Sequence, residues 1–144
     1  MRYKAFTLIE MAVVMAVIGI ILGMALPHLR NMRDQGTIAK AKGELLSIQT
    51  AVESYYIHHD NTYPVLLSDL ISAVPNIISY VPTDPFSNGG PYIYNLSENG
   101  NYYTLYSVGL GGNGSTSVDD AGVVSELNGA SCIFVSNASE DLQP

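Results

Sequence analysis

From Phe6 to Leu26 apolar side chains follow one another with no polar face, Thr7 and Glu10 being the only clearly polar residues among them. As a helix, that stretch of 21 residues spans about 31 Å, roughly the hydrocarbon thickness of one bilayer. Beyond Pro27 the pattern becomes amphipathic. Ile38, Ala41, Leu45, Ile48, Val52 and Tyr55 recur at helical spacing, while Lys40, Lys42, Glu44, Gln49 and Glu53 lie mostly off that line. The periodicity predicts one helix from about Phe6 to His59, ended by the turn chemistry of residues 61–64. Pro27 removes a helix hydrogen bond, and a kink or an opened turn is expected before it.

Residues 66–73 read as a short second helix with Ser68 or Asp69 near its start. Pro75, Pro82, Pro85 and Gly89-Gly90 then punctuate an irregular connection. Residues 92–96 and 102–108 are rich in tyrosine and β-branched residues and flank Ser97-Glu98-Asn99-Gly100-Asn101, a hairpin signal. Residues 131–136 form a further strand candidate. The predicted fold class is α+β: three or four strands in a small antiparallel sheet, packed on the C-terminal half of one long helix.

Charge adds an asymmetry. All six basic residues (Arg2, Lys4, Arg30, Arg33, Lys40, Lys42) precede position 43, whereas eleven of the thirteen acids follow it, and the net charge is −7. A body without Lys or Arg cannot neutralise phosphates, so nucleic-acid binding by that region is not expected. Its natural counterions are metals or a basic partner. At 144 residues the chain is too short for a multidomain enzyme, and the single Cys132 excludes an intramolecular disulfide framework. No nucleophile with a positioned base, metal triad or phosphate loop is present, so no enzymatic activity is expected.

Arg2 and Lys4 ahead of the apolar run hold the N-terminus in the cytoplasm and send the acidic body outward. Three readings of the run follow from the residues alone. One is a secretory signal cut after the run, near Gly23-Met24-Ala25. Another is an uncleaved single-pass anchor, with Glu10 as a costly carboxylate in hydrocarbon. In the third, the basic head is removed before Phe6, so that the new α-amino group of one subunit and Glu10 of its neighbour neutralise each other in a helical assembly. Gly19 and Gly23 form a Gly-x-x-x-Gly pair that allows close helix approach.

Lys4-Ala5-Phe6-Thr7-Leu8-Ile9-Glu10, followed by the apolar helix, resembles the class III leader of type IV pilins and of the pseudopilins of type II secretion systems. The resemblance implies cleavage between Ala5 and Phe6 by a membrane prepilin peptidase, methylation of the Phe6 nitrogen, and assembly through Phe6, Glu10, Gly19 and Pro27. Ala5 stands where the family usually has Gly. The implied organisation is a leader at 1–5, a transmembrane and filament-core helix at 6–26 and a periplasmic globular domain at 27–144.

Asp84-Pro85-Phe86-Ser87-Asn88-Gly89-Gly90-Pro91-Tyr92-Ile93-Tyr94 is similar to a signature of the major pseudopilins, and Tyr106-Ser107-Val108-Gly109 continues the similarity. In that family the loop after the Tyr-Ser-x-Gly strand binds calcium. Here the resemblance implies Leu110, Asn113, Ser115, Asp119 and Asp120 as oxygen donors, with the Ser117 hydroxyl also in the loop. The alternative is a solvated surface loop. What the resemblance implies about function is a structural subunit of a type II secretion pseudopilus, anchored once in the bacterial inner membrane. Its partners are further copies of itself, prepilin peptidase, an inner-membrane assembly platform and minor pseudopilins. The alternatives are a surface type IV pilin for adhesion, motility or DNA uptake, and a monomeric membrane-anchored binding module. His58 and His59 point about 100° apart on a helix and read as complements to its C-terminus.

Overall fold

In the computed structural model, which describes residues 6–127 and 132–138, the apolar run and the amphipathic stretch form one helix, α1 (Leu8–His58). Ala5 and Ser131 lie outside the described residues, as do the side chains of Pro27 and His28. The helix continues through Gly19, Gly23 and Pro27 without an opened turn. One missing donor removes a single rung of the ladder, and the neighbouring bonds carry the helix across it. By compactness the chain divides into Met1–Gly36 and Thr37–Pro144.

In the first unit, Thr7 caps α1. Its Oγ1 accepts the backbone N–H of Glu10 (3.3 Å) and its carbonyl accepts that of Met11 (3.2 Å). Glu10 therefore occupies the third helical position, where a carboxylate meets the positive end of the helix dipole. The most apolar 18-residue window has mean hydropathy 2.5, and none of it is buried. By length and composition this segment can cross a membrane.

The second unit builds its core on the rest of α1. Leu45, Ile48, Ala51 and Val52 recur on one face and are buried against Leu70, Tyr92, Tyr103 and Leu105. The second helix, α2 (Asp69–Ser72), is shorter than the pattern suggests. The Ser68 side chain makes no cap, and Asp69 turns back to accept the Leu66 N–H at 2.9 Å. Its one buried residue, Leu70, plugs the core.

Five strands follow, in two sheets. β1 (Ile93–Leu96), β2 (Tyr103–Ser107) and β5 (Ile133–Ser136) form an antiparallel sheet in the order β1-β2-β5. β3 (Ser115–Val118) and β4 (Val124–Leu127) form a separate hairpin. Every residue of β2 is buried, because Tyr103 and Leu105 face the α1 cluster while β3 lies against the strand's other side. Asn95 on β1 ties the two sheets together, its amide donating to the Thr116 carbonyl at 2.7 Å. The hairpin corrects the expectation of an irregular loop at 110–120: residues 115–118 of that stretch are strand.

Candidate assembly surface and acidic turns

Two polar clamps fix the sheet on the helix. The Tyr92 hydroxyl donates to Glu44 Oε2 at 2.6 Å, and the Tyr103 hydroxyl donates to Glu53 Oε1 at 2.7 Å. Tyr63 reaches the other Glu53 oxygen at 3.4 Å and stacks on Tyr56, with ring centroids 4.5 Å apart. Burial, then the facing carboxylate, raises the pKa of both Tyr92 and Tyr103 above its ordinary value. Both tyrosines therefore stay neutral donors at physiological pH. The tyrosines form the helix–sheet core that their composition suggests.

Asp84 explains the Asp-Pro motif structurally. Its carboxylate is 1% exposed, yet it accepts the Phe86 N–H at 2.9 Å, the Ser107 hydroxyl at 2.7 Å and the Val108 N–H at 3.0 Å. A buried charge with three donors is satisfied, and it bolts the turn at 84–90 to the end of β2. The signature is thus a folding device.

The acidic turns tell a different story from the ligand set implied above. Asp119 Oδ1 accepts the N–H groups of Ala121 and Val123 at 2.9 and 2.8 Å, closing the β3–β4 turn. Asp120 Oδ1 accepts the Asn99 N–H at 2.8 Å, and the Asn99 side-chain amide donates to the Asp120 carbonyl at 2.9 Å. The turn at 97–101 and the turn at 119–122 are therefore locked together. Leu110, Asn113 and Ser115 precede or open β3, whereas Asp119 and Asp120 follow it. Four strand steps, about 13 Å, separate Ser115 from Asp119. Oxygens around one calcium lie about 2.3 to 2.6 Å from the ion, a closer grouping than the backbones of Ser115 and Asp119 have along an extended strand. Among the described residues no group of three His, Cys, Asp or Glu side chains is placed to hold a metal. The Gly- and Ser-rich stretch is pinned by strand pairing and by these turn bonds.

The remaining candidates resolve simply. His58 and His59 donate from Nδ1 to the carbonyls of Ser54 (2.7 Å) and Tyr55 (3.1 Å), which serves the unpaired end of α1. His59 also stacks on Tyr55 at 4.0 Å. Burial pushes the Cys132 thiol up to about 11, with the charges of Glu126 and Asp84 adding to the shift, so it is not a reactive thiolate at neutral pH.

Of the expected assembly residues, Phe6 is 73% exposed and Glu10 is exposed in the first turn of α1. A Cβ built on Gly19 or Gly23 meets nothing within 4 Å, so no contact among the described residues demands glycine there. Sequence reasoning missed Thr7 as the helix cap, although Thr7-x-x-Glu10 is a capping-box pattern.

The Prokaryotic N-terminal methylation motif matches residues 1–26. The chain is 29% identical over 137 residues to the type II secretion system core protein G of Pseudomonas aeruginosa, covering 85% of this chain and 94% of that one. It is 28% identical to the Escherichia coli K12 protein of the same description, over 82% of this chain and 89% of that one. A type IV major alpha-pilin of Moraxella bovis is 34% identical over 59% of this chain and 54% of its own length. No solved structure matches significantly.

Proposed function

Because this chain is a type IV pilin-like protein carrying the N-terminal methylation motif, a structural protein and not an enzyme, we propose that it is the repeating subunit of a type II secretion pseudopilus. Prepilin peptidase cuts between Ala5 and Phe6, and the mature chain waits in the inner membrane with its acidic unit in the periplasm. It then polymerises by burying its apolar helix against copies of itself.

The observation that carries this reading is the uncovered segment. Leu8, Ile9, Met15, Ile20 and Met24 are each at least 60% exposed, so nothing among the described residues covers them. A bilayer or neighbouring helices must do so. Glu10 supplies direction. A carboxylate in a membrane helix costs about 2.5 to 3.5 kcal/mol at the centre and less towards the end, where Glu10 lies, and a neighbour's Phe6 ammonium offsets that cost. Similarity along nearly the whole core protein G chain, together with the Asp84 motif, supports the secretion filament. The Moraxella bovis similarity favours a surface pilus as the second reading.

The test is Glu10→Ala in the full-length chain, with the N-terminal mass recorded from membranes. Cleavage at Phe6 with loss of polymer is the expected result. Retention of Met1, or normal polymer from the variant, would refute the proposal.

A further inference from the structure

The face of β2 that turns away from α1 carries Thr104, which is 0% exposed, and β3 lies against that face with Thr116, which is 2% exposed. Neither Oγ1 atom has a hydrogen-bond partner among the described residues. A hydroxyl carries one donor and two acceptor sites, and native structures rarely bury one with all of them idle. Two such hydroxyls at a single contact between sheets point to something polar between them.

Their neighbours fix where the two meet. Asn95 stands directly opposite Thr104 in the β1–β2 ladder, so the two side chains share a face, and the Asn95 amide donates to the Thr116 carbonyl at 2.7 Å. One asparagine thus brings both threonines to the same place. The other residues beside them are engaged elsewhere. Ser136, opposite Thr104 on β5, donates to the Tyr103 carbonyl at 2.6 Å and accepts the Ala138 N–H at 2.9 Å. Glu126, opposite Thr116 on β4, is exposed.

An occupant between them must be small, because both threonines are closed to solvent, and it must be able to donate as well as accept, because each hydroxyl has both roles to fill. Water meets both conditions, and a buried water needs only two to four polar partners. We propose that one water molecule is built into the contact between the two sheets, bridging Thr104 Oγ1 and Thr116 Oγ1 beside the Asn95 amide. Thr116 is the one buried residue of β3, so the β3–β4 hairpin is seated on β2 through this wet joint. The bridge satisfies two hydroxyls that do not satisfy each other, and it holds whether or not the chain polymerises.

The test uses the full-length chain in detergent, with Thr104→Val, Thr116→Val and the double variant. Valine keeps the shape of threonine and removes the hydroxyl. Magnetic relaxation dispersion of the water oxygen counts long-lived waters, and the unsubstituted chain is expected to hold about one more than the double variant. Each single valine should lower the melting temperature by about 4 °C, and the double should lower it by less than the sum, because all three variants lose the same bridge. Thr104→Ser and Thr116→Ser keep the hydroxyl and should keep the water, which covers the case where valine disturbs the fold. Equal water counts with a raised melting temperature would mean that the hydroxyls are simply unpartnered. Equal counts with a fall in each single variant that the double variant reverses would mean that the hydroxyls bond each other directly. Either result overturns the bridge, as does loss of the water from the serine variants.

Discussion

Asn99 donates to Asp120 twice: its backbone N–H meets the Asp120 carboxylate at 2.8 Å, and its side-chain amide meets the Asp120 carbonyl at 2.9 Å. Two turns more than twenty residues apart in sequence are thereby closed as one. The same asparagine accepts from the Ser97 hydroxyl at 2.8 Å and from the Asn101 N–H at 2.9 Å. It organises its own turn while gripping the other.

Asn99→Ala and Asp120→Ala should each destabilise the chain by about 1 to 3 kcal/mol. The double variant should cost less than the sum, because each substitution removes a different one of the two bonds and either loss alone loosens the joint that the other bond needs. Thermal unfolding of the full-length protein in detergent, followed by circular dichroism, measures both quantities. Strict additivity would mean the two turns are held independently.

Calcium removal should leave the melting temperature unchanged to within about 1 °C, since the donors expected to share an ion lie at opposite ends of β3 and a bound ligand would have raised stability by mass action. The measurement is the same melt in excess chelator and in millimolar calcium. A rise with calcium that Asp119→Ala abolishes would show that the turn rearranges around an ion.

Alkaline stability follows from the tyrosine clamps. Tyr92, Tyr94 and Tyr103 have folded pKa values raised above the ordinary 10.0, with burial the leading cause. The folded state thus holds these protons more tightly than the unfolded chain. Their contribution is fully present below pH 10 and is lost as pH climbs above it towards the folded values. Phenolate absorbance should accordingly appear in two phases, the second coinciding with unfolding. Tyr103→Phe should lower stability by about 1 to 2 kcal/mol at neutral pH through the lost bond to Glu53.

Glycines should divide by environment. Gly122 has φ +79°, and a Cβ there would sit 2.9 Å from the Tyr102 ring, while one at Gly114 would sit 2.8 Å from the Val108 carbonyl oxygen. Alanine at either position should cost about 1 to 3 kcal/mol through strain or overpacking. At Gly43, within α1 and with open space around it, alanine should stabilise by about 0.5 to 1 kcal/mol. Denaturant melts of the three variants test the ordering.

Legibility in the sequence tracked where burial comes from. α1 was readable because its core face repeats every three to four residues from Ala41 to Val52, and β1, β2 and β5 because tyrosine and β-branched side chains mark them. β3 was not readable because only Thr116 among its four residues is buried. Its place is set by backbone pairing with β4. The available signal was Asp119-Asp120-Ala121-Gly122 between Val118 and Val123, a turn with β-formers on both sides. The shared ion was an implication of the family resemblance, and the strand at 115–118 stands between its donors. The Asp84 motif was visible as a resemblance, but its physical role needed the fold, since Ser107 and Val108 are more than twenty residues away.

That motif leaves a mark on solvent exchange. The amide protons of Phe86 and Val108 sit outside any strand ladder, yet each is bonded to the same buried carboxylate. Such protons trade with deuterium only when the carboxylate lets go, and it cannot let go singly without stranding a buried charge. Two loop amides should therefore survive in deuterium as long as those in the centre of β2.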